Sequence, residues 1–143
     1  MPTVGDIHKL LTCEPKMVNE KASRKEVVEV MLSGSPIARS VYVVDDSGRL
    51  KGVITLGDVL KGIAVQKGEA HVEDAQSPFK LFQFSPFSIA KDIMGPAVFV
   101  TRDTKLQKAL GKMVNRRRNE LPVVDADRRV IGDLNAYELL KYL

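Results

Sequence analysis

The chain repeats itself once, and that repeat limits the folds open to it more than any other feature. Val43-Val44-Asp45 and Gly52 recur as Val123-Val124-Asp125 and Gly132, at an offset of 80. The alignment runs on without a gap: Leu56 meets Ala136, Asp58 meets Glu138, Leu60 meets Leu140 and Lys61 meets Lys141. Upstream the offset is 81, pairing Ser23 with Thr104 and Met31 with Lys112. Further upstream Asp6-Ile7 resembles Asp92-Ile93, and Thr12 to Lys16 is extra material in the first copy. The copies therefore cover about 1–66 and 88–143, with 67–87 as a connecting segment. Two copies are too few for a solenoid. They predict a pseudo-twofold pair in which each unit buries the other's apolar face.

Pattern gives each copy the same elements. Val4, Ile7, Leu10 and Leu11 share one face of a short first helix. Ser23 with Glu26 forms a capping-box signature, opening a helix with Val27, Val30 and Met31 inward. Thr104 opens the matching helix, with Leu106, Ala109, Leu110 and Met113 inward. Val41 to Val44 and Leu50 to Ile54 are strands joined by Asp45-Asp46-Ser47-Gly48-Arg49, whose Asp and Gly suit a tight turn. Leu121 to Val124 and Val130 to Leu134 repeat that hairpin, and helices from about Thr55 and Asn135 close the copies. The expectation is an α/β (α+β) fold of two βαββα units, each a small sheet backed by two helices. The segment Gln66 to Ser88 holds four phenylalanines, more aromatic than a plain linker, and is expected to pack on the module or a partner subunit.

Composition narrows the class. Hydrophobic residues make up 44% and charged residues 28%, a globular balance. No apolar run has the length of a membrane span, and the N-terminus lacks a secretory pattern. The single cysteine, Cys13, cannot form an internal disulfide, which suits a cytoplasmic location. Two histidines and one cysteine argue against a zinc site, and no metal site is expected. A net charge of +4 suits an anionic ligand without requiring nucleic acid.

Short helix, strand, capped helix, Val-Val-Asp hairpin and Gly52-Val53-Ile54-Thr55-Leu56-Gly57-Asp58 together resemble the CBS domain, named from cystathionine beta-synthase. Two in tandem resemble a Bateman module. The resemblance covers nearly the whole chain and implies binding of AMP, ADP, ATP or a related adenosyl compound between the paired copies, magnesium accompanying ATP or not. It also implies a flat homodimer. In the family the Thr and Asp of the motif hold the ligand, the hydroxyl near phosphate and the carboxylate on the ribose. These positions match Thr55 and Asp58, with Val53 and Ile54 leading into them. A strand ending at a helix N-terminus offers backbone N–H groups to a phosphate. Arg39 matches the family's basic residue before the hairpin, and Lys16, Met17 and Val18 match the adenine-facing strand.

The second copy departs from the motif. In Gly132-Asp133-Leu134-Asn135-Ala136-Tyr137-Glu138, Asn135 replaces Thr, Glu138 replaces Asp, and Asp133 puts a charge in a hydrophobic slot. A second, weaker site is therefore expected around Asn135, Glu138, Asp133 and Arg118.

Plainer explanations exist for each feature. Thr55 with Asp58 and Asn135 with Glu138 are also ordinary helix starts. Arg116-Arg117-Arg118 is equally a solvated helix end or a phosphate contact, and as a nucleic-acid footprint it lacks an aromatic platform. Asp45 and Asp125 are turn residues first. His8 and His71 stand apart from any nucleophile, so no catalytic residue is expected and the chain does not read as an enzyme. The expected role is sensing of an adenine nucleotide, read out by a separate regulated protein. The rivals are a dimerisation scaffold without ligand and a nucleic-acid binder.

Overall fold

The computed structural model describes residues 2–9, 14–66 and 89–142. Leu10, Leu11, Cys13, His71 and the expected connecting segment from Lys67 to Phe87 lie outside these described residues. The elements run α1 (Val4–Ile7), β1 (Met17–Asn19), α2 (Arg24–Leu32), β2 (Val41–Val44), β3 (Leu50–Ile54) and α3 (Leu56–Gln66). A 3-10 turn (Ala90–Asp92) then leads to β4 (Val100–Thr101), α4 (Leu106–Arg116), β5 (Glu120–Val124), β6 (Val130–Asn135) and α5 (Ala136–Leu140). Two three-stranded sheets result, ordered β1-β2-β3 and β4-β5-β6. In each, the first pair is parallel and the second is an antiparallel hairpin. This is the mixed α/β repeat that the sequence predicts.

Local chemistry explains the matching hairpins. Asp45 Oδ1 accepts from the N–H groups of Ser47 and Arg49 at 2.9 and 3.0 Å. Asp125 Oδ1 does the same for Asp127 and Arg129, at 2.9 Å each. These are the local bonds that make Asp a turn residue. The N–H of Arg49, ahead of that of Ser47, holds the Asp45 carboxyl below the usual range. Gly48 takes the left-handed turn position at φ +83°, and Arg128 takes its counterpart at φ +66°.

Two helix details differ from expectation. Ser23 Oγ does cap α2, accepting from Glu26 N–H at 3.2 Å. Thr104, however, does not cap α4: its hydroxyl accepts from Thr101 N–H at 3.0 Å, and the helix starts after Lys105. Leu110 is 38% exposed, because Leu106, Ala109 and Met113 already fill the buried stripe of α4.

The copies exchange their leading segments, which the sequence reading did not foresee. Val4 and Ile7 pack into the second copy's core, with Leu106, Ala109, Met113, Leu121 and Leu134. Ala90 and Ile93 pack into the first copy's core, with Val27, Met31, Val41 and Ile54. The backbone follows suit: Val4 N–H donates to Thr104 O at 2.9 Å, and Ala90 N–H donates to Ala22 O at 2.8 Å. Asp6 and Asp92 cap the two segments alike, accepting from Thr3 and Ile89 N–H at 2.8 and 3.1 Å. A third cluster, Tyr42, Leu50, Val53 and Val124, seals the copies together. Their hairpin tips are also joined, Leu50 N–H donating to Arg128 O at 2.9 Å.

Candidate functional site: a cationic cleft between the copies

Pseudo-twofold packing brings the starts of α3 and α5 to one cleft of about 580 Å³. The first copy supplies Ile37, Arg39 and Ser40 from the approach to β2, and Thr55 to Gly57 at the start of α3. The second supplies Arg116 to Glu120, between α4 and β5, and Asn135 to Tyr137 at the start of α5. The left-handed turn at Arg117, φ +54°, ends α4 and sets the three arginines on this wall. Four arginines, counting Arg39, thus share the lining with one acid, Glu120. Such a wall attracts a polyanion.

The sequence-predicted residues divide sharply here. Thr55 and Arg39 line the cleft, and so do Asn135 and Arg118, which were expected in a separate second site. Asp58 sits behind Thr55: its Oδ2 accepts from Thr55 N–H at 2.9 Å, and Thr55 Oγ1 accepts from Asp58 N–H at 3.2 Å. The capping function is therefore real, whatever else the pair does. Val53, Ile54 and Val18 turn their side chains into the core. Lys16 donates its ammonium to Met31 O at 2.8 Å, and Met17 is a half-exposed residue of β1. None of these five lines the cleft.

Glu138 and Asp133 are also absent from the lining of this cleft. Glu138 is fully buried because its Oε1 accepts from Asn135 N–H at 2.8 Å, completing the cap of α5. Asn135 Oδ1 accepts from Tyr137 N–H at 2.9 Å, while its Nδ2 reaches across to Ile37 O at 3.0 Å. Asp133 faces inward and accepts from the Tyr42 hydroxyl of the first copy. Burial first, then the neighbouring Glu120 carboxyl, pushes Asp133 up to about 9, so it holds its proton at neutral pH.

Glu120 is the charged residue of the cleft that the sequence reading missed. Its Oε1 accepts from Arg39 N–H at 2.9 Å and from Ser40 N–H. A charged residue opening a strand, where the first copy has Ser40, was the available signal.

Fold, repeat and cleft define a module of two paired units, and the comparisons place it. The CBS domain family model matches residues 4–65 and 90–143, so the chain belongs to the CBS domain family, as a tandem pair. It is 30% identical over 138 residues to the magnesium transporter MgtE of Thermus thermophilus, covering 94% of this chain and 26% of MgtE. It is 32% identical over 120 residues to the chloroplastic CBS domain-containing protein CBSX2 of Arabidopsis thaliana, 76% of this chain and 48% of that protein. The chain thus spans about a quarter to a half of these curated relatives. Among solved structures, a CBS domain-containing protein from Thermotoga maritima superposes with a TM-score of 0.81 at 31% identity, over 99% of this chain and 93% of that one. The cytosolic domain of MgtE in complex with ATP superposes with a TM-score of 0.66 at 27% identity, over 93% of this chain and 47% of that one.

Proposed function

We propose that this chain is a regulatory module that takes an adenine nucleotide into the cleft between its two copies and signals occupancy to a separate protein. The observation that carries this reading is the lining: four arginines beside the N-terminus of α3 at Thr55. Guanidinium groups meet phosphate oxygens bidentately, and helix N–H groups add to the same field. The Thr55 hydroxyl serves the phosphates. Asp58 Oδ2 is taken by the cap, leaving Oδ1 to accept from a ribose hydroxyl. The MgtE cytosolic domain, a structure of the same fold, holds ATP and supports this ligand class.

The test is calorimetric titration of AMP, ADP and ATP, with and without magnesium, into nucleotide-free wild-type protein and Asp58→Ala. The expected result is saturable binding near one ligand per chain. Asp58→Ala should weaken it about tenfold or more, a difference of about 1.4 kcal/mol. Absence of heat with every nucleotide, on folded protein, would abandon the reading and leave Thr55 and Asp58 as helix caps.

A homodimer is part of this proposal. Leu60 on α3 and Leu140 on α5 occupy equivalent repeat positions and are 57% and 66% exposed. Paired apolar side chains on two related helices suit burial against a second copy of the chain. Sedimentation should give a dimer for the wild type and a monomer for Leu60→Glu combined with Leu140→Glu. An unchanged sedimentation coefficient would place the contact elsewhere.

A further inference from the structure

Behind the arginine wall lies a buried polar group that the nucleotide reading does not use. Asp133 on β6 is 2% exposed and Glu120 on β5 is 5% exposed. Burial first, then the neighbouring Glu120 carboxyl, favours a proton on Asp133. Tyr42 from β2 donates to Asp133 Oδ1. The other charged groups facing the pair are Glu138 on α5 and Lys16 ahead of β1. Glu120 meanwhile accepts the backbone N–H groups of Arg39 and Ser40, across the junction between the copies.

We propose that Glu120 is a positioning residue of the cleft: buried with Asp133 behind the lining, its carboxyl fixes the Arg39–Ser40 backbone that presents the Arg39 guanidinium, so that nucleotide uptake depends on how this buried acidic pair is seated. The assignment rests on the nucleotide reading for its ligand and on the pair's geometry for its proton. With the proton in place, Asp133 sets no charge against Glu120 and both stay seated. Once Asp133 ionises, two buried carboxylates repel one another, and the contact most easily given up is that between Glu120 and the Arg39–Ser40 backbone. The folded-state carboxyl is held far above the ordinary value of about 3.9. The folded chain therefore binds more protons than the unfolded chain across that interval. Its stability falls as pH rises, until the folded carboxyl has itself ionised.

The variant that separates this from a merely structural role is Asp133→Asn. Its amide accepts from Tyr42 and is neutral, as the protonated acid is, but cannot ionise. Two measurements are needed, the thermal midpoint of nucleotide-free protein and the affinity for ATP, each at about pH 7 and about pH 10. Wild type should lose several degrees of midpoint and about tenfold in affinity between them, from the ionisation of one buried group. Asp133→Asn should show a much smaller midpoint shift and a flat affinity. Equal pH slopes in the two proteins, in either measurement, would overturn the assignment. Absence of ATP binding at both pH values would instead overturn the nucleotide reading. The midpoints would still report whether the pair holds its proton.

Discussion

Ile7→Ala should destabilise this protein by about 2–5 kcal/mol, and it should do so through the second copy. Ile7 is fully buried in a core cluster with Leu106, Leu121 and Leu134 of the second copy, where Val4 alone joins it from its own repeat. Truncation leaves a cavity between α4 and the second sheet, where an ordered core cannot fully collapse. Urea unfolding followed by hydrogen exchange checks both size and place. Amides of β5 and β6 should lose protection before those of β2 and β3. A loss below about 1 kcal/mol, or one centred on the first sheet, would contradict the exchange of leading segments.

Gly52→Ala should cost about 1–3 kcal/mol at the mirror-related joint. A Cβ at Gly52 would stand 2.7 Å from Gly95 O and 2.7 Å from Met94 Sδ. The thioether can swing aside, but the carbonyl cannot. Gly95 is pinned by reciprocal bonds with Val53, its N–H donating to Val53 O at 2.8 Å and its O accepting from Val53 N–H at 3.2 Å. One methyl group therefore pushes the linking segment off β3. Gly111→Ala is the natural control, since nothing lies within 4 Å of its Cβ position and α4 is an ordinary helix there. That substitution should gain about 0.5–1 kcal/mol. Equal effects at the two glycines in chemical denaturation would argue against close approach at Gly52.

These two sites mark where sequence reasoning stops. The repeat was legible because its signals are local: a Val-Val-Asp strand end, a turn bond from Asp45 or Asp125, a cap at Ser23. Such features depend on neighbours a few residues away. Periodicity likewise identified Val4 and Ile7 as apolar-faced, but a pattern says which face is buried and not against what. The cleft was half legible. Thr55, Arg39, Asn135 and Arg118 were found by matching a motif, and they converge on one wall. Lys16, Val18 and Val53 were matched in the same way, yet the first bonds to Met31 and the others fill the core. Asp133 registered as a charge out of place. Its partners, Tyr42 and Glu120, lie 91 and 13 positions away along the chain, beyond the reach of any local rule.

The exchanged segments also set an order of events during synthesis. Val4 and Ile7 complete a core whose other residues run from Val100 to Leu139. The first copy is finished with Ala90 and Ile93, made well after its own hairpin. At about 5–20 residues per second, the leading helix waits roughly 7–26 seconds for the last of its partners. The first core has all its residues once Ile93 is made, whereas the second waits for its own hairpin, so a growing chain shows the apolar faces of Val4 and Ile7 until then. A duplication arranged in this way makes each copy's core depend on a segment that belongs to the other copy, and so postpones commitment to the native state.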